Sequence, residues 1–76
     1  MTRQEALDIM QNEDLEQFAF FGLPYHPNRV LIYKRGAQWI VENTDERAAP
    51  GATRTFVSEE GALDLFVERL RLSAVE

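Results

Sequence analysis

The chain has 76 residues, of which 45% are hydrophobic and 28% are charged, and its formal net charge is −5. At this length we expect one domain spanning residues 1–76, with a core that needs most of the aromatic and aliphatic side chains. The acidic balance opposes nucleic-acid binding, because such affinity comes largely from Lys and Arg side chains that neutralise phosphates.

The first predicted element is a helix over residues 3–11. Thr2 and Glu5 have the spacing of a capping box, in which a hydroxyl and a carboxylate bond the free amides of the first turn. An apolar stripe follows at helical spacing, made by Ala6, Leu7, Ile9 and Met10.

Four strands are predicted, over residues 18–23, 29–33, 38–43 and 53–57. The first is rich in aromatic side chains and ends at a loop bracketed by Pro24 and Pro27, where regular pairing cannot continue. The link between the second and third strands is so short that it predicts a hairpin, with Gly36 able to take the positive φ of its turn.

The predicted hairpin register distributes apolar side chains over both faces of the sheet. If Gly36 and Ala37 form the turn, one face carries the pairs Lys34 with Trp39, Ile32 with Val41 and Val30 with Asn43. The other face carries the pairs Tyr33 with Ile40 and Leu31 with Glu42. A small antiparallel sheet normally leaves one face to water, so we expect a helix, an oligomer or a partner to cover the second apolar face.

The last predicted element is a helix over residues 59–72. Ser58 is a suitable N-cap, and Glu59 and Glu60 lie at the positive end of the helix dipole. Its apolar stripe consists of Leu63, Phe66, Val67 and Leu70. Helices at both ends of an antiparallel meander of three or four strands predict an α+β two-layer fold, αββββα or αβββα.

No catalytic, cofactor or metal set is predicted from the residues. The chain contains no cysteine and a single histidine, His26, which the flanking prolines place in a surface loop. The basic residues Arg29, Lys34 and Arg35 are interleaved with aromatics, but the phosphate-binding glycine motifs and the RNA-binding aromatic motif are absent. We therefore expect neither an enzyme nor a nucleic-acid binder.

The stretch NTDERAAPG after the third strand is longer than a tight hairpin requires, and Pro50-Gly51 suits a type II turn. One interpretation is structural: Thr44 or Asp45 caps a helical turn, and Arg47 reaches back to a carboxylate. The other is functional: Asp45, Glu46 and Arg47 form a polar clasp that is offered to an incoming protein.

Read together, the stretches QWIVENTDERA and TFVSEEGALDLFVERLR resemble the small immunity proteins of bacterial polymorphic-toxin systems, in particular the group numbered immunity protein fifty-nine. The resemblance spans roughly residues 38–71. Its cues are Trp39, Val41, the run from Thr44 to Ala48, Gly51, Phe56, Ser58-Glu59-Glu60, Ala62-Leu63, Phe66 and Arg69-Leu70-Arg71. The resemblance implies a non-enzymatic bacterial protein that neutralises a cognate toxin by binding it, and an acidic surface would suit a basic toxin.

The contact region expected from these observations combines the polar clasp with the second sheet face, that is Asp45, Glu46, Arg47, Leu31, Tyr33 and Ile40. The alternative is a structural or regulatory domain that forms a homodimer through the same apolar face. The lack of cysteine, of a secretion signal and of a membrane-length apolar run leads us to expect a cytoplasmic protein without a membrane partner.

Overall fold

The computed structural model describes residues 1–75 as an α+β fold in which helices precede and follow a four-stranded sheet. The elements in chain order are α1 (Arg3–Asn12), a 3₁₀ turn (Glu16–Phe18), β1 (Ala19–Phe21), β2 (Val30–Arg35), β3 (Gln38–Thr44), β4 (Pro50–Phe56) and α2 (Glu59–Ala74). The predicted αββββα arrangement is confirmed. None of the described helices is both long and apolar enough to cross a membrane.

The strands lie side by side in sequence order, but the sheet is mixed. β2, β3 and β4 form the predicted antiparallel meander, whereas β1 is parallel to β2, so the expectation of a fully antiparallel sheet is wrong. A parallel neighbour requires the chain to return to the end at which the strand began. The return is made by residues 22–29, the crossover loop, which can be short because β1 has only three residues.

The β2–β3 hairpin has the predicted register, with Leu31 opposite Glu42 and Tyr33 opposite Ile40. Gly36 has a φ of 62°, which a hairpin turn needs and a Cβ would disfavour. The β3–β4 pairing continues past a bulge between Val41 and Asn43. The central hairpin therefore presents the two faces as expected from the sequence.

Both helix caps form as predicted. The Glu5 amide donates to the Thr2 hydroxyl at 3.2 Å and the Thr2 amide donates to the Glu5 carboxylate at 2.9 Å, which completes the capping box. The Ser58 hydroxyl accepts a bond from the Gly61 amide at 3.2 Å. These bonds satisfy amides that have no partner inside their own helix.

The main core lies between the helices and one face of the sheet. Phe66 at its centre is fully buried, and its ring lies 5.3 Å from that of Phe21. The buried members of this core are Ala6, Met10, Leu15, Val30, Ile32, Val41, Ala62, Leu63, Phe66, Val67 and Leu70. Because both helices use this face, the opposite face must be covered by something else.

Candidate protein-binding surface

Phe20 of β1 and Tyr25 of the crossover loop cover the second face of the sheet. Leu31, Tyr33 and Ile40 are 0%, 7% and 6% exposed, and the rings of Phe20 and Tyr25 pack against them. The expectation that these three residues form an open contact surface is therefore wrong. The sequence interpretation assigned the proline-bracketed loop to the solvent, whereas the parallel placement of β1 draws that loop across the sheet.

Hydrogen bonds from the end of β3 hold the crossover loop in place. The Thr44 hydroxyl donates to the His26 carbonyl and accepts from the Arg29 amide at 2.9 Å. The Asn28 amide donates to the Asp45 carbonyl, also at 2.9 Å. Thr44 thus has a structural role within the Thr-Asp-Glu-Arg run.

His26 lies in this loop but is half-buried rather than exposed. Its ring stacks on that of Phe20 with centroids 4.0 Å apart, and Nδ1 lies 3.0 Å from the Pro24 carbonyl oxygen. The prediction of a solvent-exposed histidine was wrong because the ring packs as an aromatic side chain. Within residues 1–75, no group of three His, Asp or Glu side chains is placed to hold a metal ion.

Glu42 is a buried carboxylate, 4% exposed, whose partners are hydroxyl groups. The Tyr33 hydroxyl and the Tyr25 hydroxyl, the latter at 3.2 Å, donate to Oε1, and the Thr53 hydroxyl donates to Oε2 at 2.9 Å. Burial, together with the bond to Glu42, raises the pKa of the Tyr33 phenol well above its usual range. The arrangement ties the crossover loop to β3 and β4, and it leaves the carboxylate closed to an incoming substrate.

The Asp45 turn, residues 45–49, replaces the long loop expected between the third and fourth strands. The Asp45 carboxylate accepts bonds from the Arg47 amide at 2.8 Å and the Ala49 amide at 3.0 Å. Ala48 takes the left-handed φ of 62° that closes the turn. The structural interpretation of this segment is matched in part: Asp45 accepts the bonds that close a turn, but Arg47 bonds this carboxylate through its backbone amide and not through its side chain.

Pro50 and Gly51 do not form the predicted type II turn. They pair with Thr44 and Asn43 as the first residues of β4, which therefore begins earlier than expected. The turn leaves the side chains of Glu46 and Arg47 exposed to solvent. Of the six predicted contact residues, these two and Asp45 lie at the surface.

A groove lies at the other end of the sheet and was not predicted from the sequence. Leu7, Phe21 and Leu23 are 40%, 47% and 48% exposed, and they line it together with half-buried Trp39. Its volume is about 540 Å³. We call this site the β1 groove; its complete lining is Arg3, Leu7, Phe21, Gly22, Leu23, Ile32, Tyr33, Lys34 and Trp39.

Two cations and no acidic side chain line the β1 groove. The Lys34 ammonium lies 5.9 Å from the centroid of the Trp39 ring, as the predicted cross-strand pair requires. Arg3 bonds the Glu59 carboxylate through Nε at 3.1 Å. The local charge of the groove is thus opposite to that of the whole chain.

Comparisons of the chain with protein-family models, with curated proteins and with solved structures found no significant match.

Proposed function

We propose that this chain is a small non-enzymatic protein that binds a protein partner, acting as an immunity protein that neutralises a cognate bacterial toxin. The observation that carries the proposal is the Asp45 turn. It holds two oppositely charged side chains, Glu46 and Arg47, in solvent on a backbone that the Asp45 carboxylate constrains. The same three residues belong to the run on which the resemblance to immunity proteins depends.

A constrained turn suits a binding role because it reduces the ordering cost of association. A flexible loop loses conformational freedom when a partner fixes it, whereas the Asp45 turn is already closed by its own carboxylate. Charged groups at the rim of an interface then steer the encounter and discriminate between partners. The net charge of −5 supports a basic toxin as the partner.

The surroundings of His26 and Glu42, the two side chains best suited to acid–base catalysis, also favour a binding role over an enzymatic one. His26 is stacked against Phe20, and the Glu42 carboxylate is enclosed by three hydroxyl donors. Glu42 is only 4% exposed, and the His26 ring is half-buried. We place the encounter with the toxin in the bacterial cytoplasm, in keeping with a chain that has no cysteine.

The second sheet face, through which the alternative homodimer would form, is buried within the chain. Leu31, Tyr33 and Ile40 are packed beneath Phe20 and Tyr25 of the same chain. A dimer through this face would first have to displace the crossover loop. No observation on the described residues favours displacement of the crossover loop by a second copy of the chain.

Co-expression with the product of the neighbouring gene tests the proposal. We expect the wild-type chain to relieve toxicity and to co-purify with that product, and Glu46→Lys to weaken both effects. Glu68→Lys is the matched control, because it makes the same charge change at an exposed position of α2. Absence of both relief and complex would refute the function, whereas equal effects of the two variants would refute the Asp45 turn as the contact region.

A further inference from the structure

We propose that the β1 groove is a second docking surface, and that its occupant is an extended segment of a protein partner that carries apolar side chains next to a carboxylate. The inference goes beyond the proposed toxin-binding role. β3 separates the groove from the Asp45 turn by its full length, about 20 Å at roughly 3.4 Å per residue. The two surfaces can therefore be occupied independently.

Leu7, Phe21 and Leu23 give the groove an exposed apolar surface. Scattered single apolar residues are normal on a protein surface, but a contiguous set that lines one concave site indicates a binding region. These three line the same groove, with Trp39 beside them. They provide a place for the apolar side chains of an incoming segment.

The groove adjoins a free edge of the sheet, which is formed by β1. β1 is an edge strand, and the Gly22 amide donates to the Ile32 carbonyl of β2 at 2.9 Å. Successive residues of a strand direct their backbone groups to opposite sides, so the N–H and C=O groups of Phe21 point away from β2, where no strand adjoins them. These groups face away from Lys34 and Trp39, but β1 ends at Phe21, so an extended segment in the groove would bond them where it passes the end of this strand, as in other cases of strand addition.

The charged side chains that line the groove favour an acidic occupant. The chain has 13 acidic residues against 8 Lys and Arg, yet the groove lining contains Arg3 and Lys34 and no acid. The guanidinium of Arg3 is engaged with Glu59, whereas the Lys34 side chain is exposed and its ammonium lies 5.9 Å from the centroid of the Trp39 ring. Lys34 is thus the group that a carboxylate on the incoming segment would meet.

Amide NMR of the isotope-labelled full chain tests this proposal. The probe is a short blocked peptide that alternates valine with serine and ends in glutamates, and the matched probe ends in lysines. We expect the acidic peptide to shift the amides of residues 19–23 and the Trp39 indole, and to bind at least about fivefold more tightly than the lysine peptide.

Two pairs of variants locate the interaction. Lys34→Glu should weaken binding of the acidic peptide by about fivefold, and Arg47→Glu, the same charge change at the other end of β3, should leave it unaltered. Leu23→Ser should also weaken it about fivefold, and Val57→Ser, at an apolar side chain that is 89% exposed elsewhere, should not.

Three results would overturn the proposal: shifts confined to other residues, equal binding of the two peptides, or equal effects of Lys34→Glu and Arg47→Glu. Concentration-dependent shifts of residues 19–23 without any peptide would identify a second copy of the chain as the occupant, and would overturn it as well. The toxin is absent from these measurements, so their failure leaves the proposed function to its own test.

Discussion

The hydroxyl cluster around Glu42 makes a quantitative prediction that a double-mutant cycle can test. The cycle consists of Glu42→Leu, Tyr33→Phe and the double variant. Tyr33 is 7% exposed and Glu42 4%, so the bond between the phenol and the carboxylate is withdrawn from water. Glu42→Leu leaves the buried Tyr33 hydroxyl without its acceptor, Tyr33→Phe takes one of three donors from the buried carboxylate, and the double variant removes both groups.

The expected magnitudes follow from this asymmetry. Glu42→Leu leaves the buried Tyr33 hydroxyl without its acceptor, which costs about 1–3 kcal/mol, partly offset because a buried charge is replaced by an apolar side chain. Tyr33→Phe removes one charge-assisted bond from a carboxylate that keeps two other donors, which costs about 1.5–3 kcal/mol. The double variant should be destabilised by about 1–2 kcal/mol, well below the sum of the two.

Urea unfolding monitored by the fluorescence of Trp39, the only tryptophan, measures all four free energies. The stability of a chain of this length is about 4–11 kcal/mol, so a coupling energy of about 0.5–3 kcal/mol, the range expected for two groups in contact, can be measured. Single-variant effects that add to within about 0.5 kcal/mol would show that the two groups are not bonded. Glu42 would then be held by Tyr25 and Thr53 alone, without a bond to Tyr33 of β2.

Two further predictions concern the Asp45 turn and Tyr33. Asp45→Ala should lower the free energy of unfolding by about 1–2 kcal/mol in urea titrations, because it removes the acceptor of two turn bonds. Asp45→Asn keeps an acceptor oxygen and should lower it less. Equal losses in the two variants would mean that the two turn bonds contribute nothing. The pKa of Tyr33 is raised in the folded state, so the protonated phenol stabilises the fold. This contribution of Tyr33 to stability is fully present below the unfolded tyrosine pKa of about 10, and it is lost as the pH rises above that value. Urea midpoints measured across this range should fall less steeply for Tyr33→Phe than for Tyr25→Phe, and identical slopes would contradict the assignment.

Local patterns predicted the elements of this fold well. The capping box at Thr2, the cap at Ser58 and the β2–β3 register are consequences of neighbouring residues, and each formed as expected. Such features depend on backbone amides and side chains a few positions apart. A single sequence contains all the information that they need.

The features that the sequence did not predict depend on residues distant in the chain. The pattern of residues 18–23 predicts a strand but does not indicate a parallel partner, because alternation and aromatic content are the same for either direction. The early start of β4 at Pro50 was missed because Pro-Gly favours a turn locally, and pairing with Thr44 outweighs that preference. In both cases tertiary pairing decided between local alternatives.

For the same reason, the sequence predicted the exposed residues of the Asp45 turn but not the burial of Leu31, Tyr33 and Ile40. Glu46 and Arg47 are exposed because a short turn has no interior, which sequence alone indicates. Leu31 lies within β2 and Leu23 lies two residues after β1, and the first is fully buried whereas the second is 48% exposed. Their difference arises from the path of the crossover loop, which is set by the direction of β1.

The direction and length of β1 explain both the closed face and the open groove. An antiparallel β1 would be joined to β2 by a turn at the edge, and no segment would cross the face that carries Leu31 and Ile40. The parallel β1 sends the crossover loop over that face, which buries it, but leaves Phe21 at a free edge with Leu23 beside it. A partner strand bonded to Phe21 would fix the residue that precedes the crossover loop, whose first amide, that of Gly22, is bonded to Ile32 of β2. Occupation of the β1 groove would therefore stabilise the segment that encloses Tyr33 and would slow its local opening.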